Sequence, residues 1–82
     1  MEQYVYILKC CDDTLYVGCT NNLERRIYEH NNAKKGAHYT KIRRPVVLIH
    51  SETYKTLKEA RGREAEIKRW SRKEKLVFLK MV

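Results

Sequence analysis

Residues 3–18, QYVYILKCCDDTLYVG, decide how the fold is read. Two runs rich in β-branched and aromatic side chains, 3–9 (QYVYILK) and 14–18 (TLYVG), flank CCDD, whose aspartates suit a turn. Strand-formers on both sides of such a connection predict a β-hairpin. Downstream, Thr20, Asn21 and Asn22 supply helix-capping residues ahead of LERRIYEHN, and Glu24 stands three after Asn21, as a capping box requires. Leu23, Ile27 and His30 then share one helix face.

Residues 31–45 are polar and basic, contain Gly36 and end at Pro45, which predicts a long functional loop. VVLIHSETY (46–54) predicts a third strand, and its unbroken VVLI suggests burial on both faces. Thr56-Leu57-Lys58-Glu59 opens a helix reaching to about Trp70, and Ser71-Arg72-Lys73-Glu74 opens a short final one. The expected fold is α+β: a three-stranded antiparallel sheet flanked by helices, in the order β-β-α-β-α-α.

A chain of 82 residues makes one domain, 1–82. It holds no apolar run near the roughly 20 residues of a membrane span, and MEQYVYILKC lacks the pattern of a signal peptide. Cys10, Cys11 and Cys19 form no C-x-x-C pair, so a reduced, cytoplasmic protein is expected.

Eighteen Lys+Arg against ten Asp+Glu give a net charge of +8, the balance of a polyanion binder. The charge is also segregated. No acidic residue lies between Glu29 and Glu52, a stretch that carries Lys34, Lys35, Lys41, Arg43 and Arg44. A second cluster, Lys68, Arg69, Arg72, Lys73 and Lys75, is offset only by Glu74. Neither has the broad apolar face of a membrane-surface helix. Nucleic acid is therefore the expected partner, DNA ahead of RNA.

Glu64 stands out. Leu57, Ala60, Glu64 and Ile67 keep one helical spacing, so a carboxylate lies in or beside the buried stripe. Such a group pairs with a neighbour, Arg61 or Lys68, or else turns into a pocket and holds a metal. On the first helix Arg26 and His30 are stacked on one ridge, and Tyr6 and Tyr16 lie in the hairpin strands.

Taken as an ordered set, Tyr4-Val5-Tyr6, Tyr16-Val17-Gly18, Arg26, His30 and Glu64 resemble the GIY-YIG nuclease superfamily. YVYILKC, LYVGCTNNLERRIYEHN and RRPVVLIHSE are similar to its small stand-alone bacterial members. The resemblance covers nearly the whole chain. It implies that Tyr6 activates the attacking water, Tyr16 orders water and phosphate, Arg26 holds the scissile phosphate and His30 assists the base. Glu64 would then bind one divalent metal, Mg2+ or Mn2+. In this chain Tyr4 replaces the first glycine and Val17 the isoleucine, and no asparagine follows Glu64. His38 and Tyr39 of the basic loop are candidates for the contacts such an asparagine would make.

The implied function is a metal-dependent endonuclease, structure-selective and linked to repair, working as a monomer or weak homodimer. Lys34, Lys35, His38, Tyr39, Lys41, Arg43, Arg44, Arg69, Arg72 and Lys73 would contact nucleic acid. At 82 residues the basic loop and final helix are the expected binding surface, so binding is expected to be weak and mostly sequence-independent unless a protein partner or a dimer supplies selectivity. The alternative is a non-catalytic nucleic-acid-binding module on the same fold.

Overall fold

The hairpin forms as its sequence requires. In the computed structural model, which describes residues 2–32 and 38–80, β1 (Gln3–Cys10) pairs antiparallel with β2 (Leu15–Thr20), Tyr6 facing Gly18. Asp13 adopts φ 67°, a left-handed conformation that Asp tolerates, while Asp12 Oδ1 accepts from Thr14 N at 3.2 Å and Thr14 Oγ1 at 2.6 Å. β3 (Val46–Tyr54) joins antiparallel on the other side, giving the order β2-β1-β3.

Helices cover both faces of that sheet. Tyr6, Leu8 and Cys10 point to one face, where Leu23 and Ile27 of α1 (Leu23–Asn32) pack on them. Val5, Ile7 and Val17 point to the other, against Ala60 and Ile67 of α3 (Leu57–Lys68). A one-turn α2 (His38–Lys41) follows α1, and a short α4 (Arg72–Phe78) follows α3.

The central strand, rather than β3, is therefore buried on both faces: Val5, Tyr6, Ile7 and Leu8 are almost fully enclosed. VVLI behaves otherwise because β3 is an edge strand with a register shift opposite Ile7 and Leu8. Val46 and Leu48 face α1, Ile49 packs with the α3 side, and Val47 is exposed.

Three local expectations also change. Asn22 caps α1, its Oδ1 accepting from Arg25 N at 3.1 Å and its carbonyl from Arg26 N at 3.0 Å, so the third helical residue is Arg25 rather than Glu24. The 31–45 stretch is not one loop, since α1 runs to Asn32 and α2 interrupts the rest. Leu57 is exposed, so the apolar stripe of α3 reduces to Ala60 and Ile67. Ser71 does form a complete capping box with Glu74.

Candidate active site

Because β1 and β2 pair in this register, the Tyr6 ring lies over Gly18. A Cβ on Gly18 would come within 2.5 Å of Tyr6 Cζ and nearer still to its hydroxyl. The glycine is required for space and not for backbone freedom, since its φ is not positive. Tyr16, two residues before Gly18, sits diagonally across from Tyr6 with ring centroids 6.4 Å apart. The His30 ring meets both edge-on, at 5.8 Å from Tyr6 and 5.0 Å from Tyr16.

His30 is completely buried, and both ring nitrogens are engaged. Nε2 lies 2.8 Å from the Tyr6 hydroxyl and Nδ1 2.6 Å from Thr40 Oγ1. The tautomer useful for proton transfer donates Nδ1–H to Thr40 and leaves Nε2 to accept from the phenol. Burial, helped by the positive charge of Arg26, pushes the His30 pKa down to about 4. Burial pushes the Tyr6 hydroxyl up to about 12, against the hydrogen-bonding pull of Arg26. Both groups are neutral near pH 7.

Arg26 stands one turn before His30, pairing with Glu29 Oε1 at 3.1 Å while its charge bears on Tyr6. Glu64 comes from the layer across the sheet. Lys68 Nζ holds its Oε2 at 2.8 Å, and its charge still reaches the Tyr6 hydroxyl. The carboxylate lines a cavity of about 380 Å³ beside edge strand β2, with Gln3, Cys19, Thr20, Leu57 and Arg61. Four predicted residues thus converge on one ring cluster, and the fifth opens into a neighbouring cavity.

The basic residues divide. Lys41, Arg69, Arg72 and Lys73 are exposed. Arg43 Nε instead binds Asp12 Oδ2 at 3.1 Å, tying the approach to β3 to the hairpin turn. Arg44 donates to the backbone oxygens of His30 at 2.5 Å and Glu29 at 3.2 Å, closing the α1 C-terminal turn. Lys34 and Lys35 lie outside the described residues, as do the side chains of His38 and Tyr39.

Sequence reasoning missed Thr40, a buried hydroxyl inside the supposed loop that fixes His30. It also missed the clamp at Glu52. That carboxylate accepts two bonds from Arg63, 2.9 and 3.1 Å, and binds His50 at 2.9 Å and Tyr54 at 2.7 Å. The Arg63 guanidinium holds its pKa down to about 2. The signal was present: His50, Glu52 and Tyr54 alternate along β3 and so share one face.

Residues 2–77 match the GIY-YIG catalytic domain. The chain belongs to the GIY-YIG family. It is 54% identical to a UPF0213 protein of Syntrophus aciditrophicus over 96% of this chain and 91% of that one. A Staphylococcus haemolyticus UPF0213 protein is also 54% identical, over 95% and 94%. Among solved structures, the solution structure of a UPF0213 protein from Bacillus halodurans superposes with TM-score 0.64 at 38% identity, covering 99% of this chain and 85% of its own. An Enterococcus protein, from E. faecalis, gives 0.66 at 43% identity with the same coverage.

The buried histidine makes the stability of this GIY-YIG domain pH-dependent. Folded His30 accepts a proton less readily than unfolded His30. Its contribution is complete above pH 6.5 and is lost as pH falls toward 4. Glu52 adds a similar loss only below 4.5. Denaturant titrations between pH 6.5 and 4.5 should show wild type losing about 1.4 kcal/mol per pH unit. His30→Gln should remove most of that slope; equal slopes in the two proteins would contradict the assignment.

Proposed function

We propose that this GIY-YIG domain is a divalent-metal-dependent endonuclease that hydrolyses phosphodiester bonds, in DNA ahead of RNA and at branched or otherwise structured sites. The observation that carries the reading is the Tyr6–His30–Thr40 chain of hydrogen bonds with the Arg26 charge on its phenol end. A buried structural tyrosine also needs a partner for its hydroxyl, and it is the cation beside the phenol that a packing role leaves without use.

The roles follow from the atoms. Arg26 pairs with the scissile phosphate and meets the charge that grows on its oxygens. As water attacks, its proton passes to the Tyr6 oxygen and the phenol proton passes to His30 Nε2, with Thr40 keeping the ring oriented. At rest this transfer is costly. A gap between about 12 and about 4 corresponds to on the order of 10 kcal/mol. Arg26 holds both pKa values down, so a phosphate that neutralises it raises both together.

Glu64 is the residue that would hold the metal. One half-buried carboxylate in a cavity walled by Gln3, Thr20 and Arg61 fits an ion that takes one or two carboxylates and keeps its waters, as Mg2+ or Mn2+ does. No cluster of three or more His, Cys, Asp or Glu exists among the described residues, which does not suit zinc. When bound, the ion supplies positive charge to the phosphate oxygens and leaving group.

The rival reading, a binding module without catalysis, takes support from the Arg26–Glu29 pair, which occupies the clamp in the free protein. A cleavage assay on branched, single-stranded and duplex DNA and RNA, with Mg2+ or Mn2+, separates the two. Cutting of at least one substrate in a metal-dependent way is expected; none with either metal would leave the binding module standing.

Binding itself should depend steeply on salt. Lys41, Arg69, Arg72 and Lys73 are exposed for phosphates, with Lys34 and Lys35 in the same basic segment. Engagement of about four to six phosphates gives a log–log slope of roughly −3.5 to −5.5 on duplex DNA. Fluorescence anisotropy over a salt series measures it, and a flat line would assign the basic surface to something else.

A further inference from the structure

The cavity that holds Glu64 has a second charged wall. Arg61 lies one turn before Glu64 on α3 and lines the cavity with Gln3 of β1 and Cys19 and Thr20 of β2. By spacing Arg61 was a partner for Glu64, but Lys68 takes that carboxylate at 2.8 Å. Among the described residues the Arg61 guanidinium makes no ion pair or hydrogen bond, and neither does the Gln3 amide. Arg61 is exposed, and it stands on the cavity wall with Cys19. That thiol is held protonated by burial and by Glu64, so it offers no nucleophile. What remains is a forked cation and an amide donor facing one polar space, the donor set that suits phosphate oxygens.

We propose that Arg61 and Gln3 form a second phosphate subsite, which seats the backbone phosphate next to the one that is cut and so fixes how the strand enters the Tyr6–Arg26 cluster. The inference rests on the nuclease reading. It also has an electrostatic consequence. A phosphate there lies beside the Glu64 carboxylate, so a divalent cation and Lys68 must offset the repulsion. Occupancy of the subsite and of the metal position therefore reinforce each other.

The test uses the full chain, labelled for NMR, and a short single-stranded DNA, with Ca2+ in place of the catalytic ion. The Arg61 Nε–H and Gln3 side-chain amide signals should shift on titration, and more with Ca2+ than without. Arg61→Ala should weaken binding about tenfold, as loss of a charge-assisted hydrogen bond does. Lys58→Ala removes an exposed charge from the same helix outside the cavity and should change it less than about twofold. In cleavage, Arg61→Ala should raise KM and leave kcat within about twofold. If Arg61→Ala matches Lys58→Ala and the two signals stay still, the subsite does not exist. If the signals shift and no substrate is ever cut, the nuclease reading fails while the phosphate site stands as a binding site.

Discussion

Arg26→Ala and Glu64→Gln should each lower cleavage by about 10²–10³ and leave nucleic-acid affinity within a few-fold of wild type. The contrast comes from what each group touches. Exposed Lys41, Arg69, Arg72 and Lys73 spread ground-state attraction over several phosphates, and Arg26 must give up its pair with Glu29 to take one, so its loss changes affinity little. In the proposed mechanism Arg26, and an ion held by Glu64, would meet charge that grows only as the phosphate becomes pentacovalent, and that difference between ground and transition state would set the rate. Tyr6→Phe should fall with them, because in the proposed relay it removes the oxygen through which the water proton would leave. Tyr28→Phe, on the exposed side of α1, should cut as wild type. A Glu64→Gln protein that cuts normally would remove the metal role. An Arg26→Ala protein defective mainly in binding would make Arg26 an ordinary phosphate contact.

Glu64→Gln also separates two readings of the same carboxylate by stability. Lys68 is half-exposed, so the Glu64–Lys68 pair is screened and contributes little to folding. Loss of stability in the variant should be small, and a Mg2+-dependent rise in wild-type Tm should vanish with it.

How much of this was legible beforehand depends on whether the deciding physics is local. The hairpin, the Ser71 box and the Leu23–Ile27–His30 face are set by neighbours within a few residues, and each formed as read. β3 was misjudged because an apolar run cannot tell an edge strand from a central one. Strand order decides that, and VVLI and VYIL look alike until β1 is placed in the middle. The site shows the same division. Tyr6, Tyr16, Arg26 and His30 were visible as an ordered set. Thr40 and the diversion of Arg44 to the α1 carbonyls were not, since both depend on the chain returning across α1. A basic residue in sequence says nothing about whether its donors are already spoken for.

Gly18→Ala should be the most damaging single-methyl change in the domain. Its Cβ would overlap the end of the Tyr6 ring, and that ring cannot swing aside cheaply: it is almost fully enclosed and its hydroxyl is bonded to His30 at 2.8 Å. Either the ring shifts and the bond breaks, or β2 moves away from β1. The first route leaves His30 Nε2 buried without its partner, and the second disturbs the central pairing; overpacking plus a lost buried hydrogen bond costs about 2–4 kcal/mol. Cleavage should fall by about 10²-fold or more if Tyr6 is the base proposed above, because it would be displaced from its proton acceptor. A double-mutant cycle gives the cause. If the clash is with the Tyr6 ring, Tyr6→Leu should remove most of the stability penalty of Gly18→Ala, so that the two changes couple by about 1–3 kcal/mol. Additive penalties would mean that Gly18 serves the backbone and not the tyrosine. The absence of a positive φ at Gly18 argues for the ring.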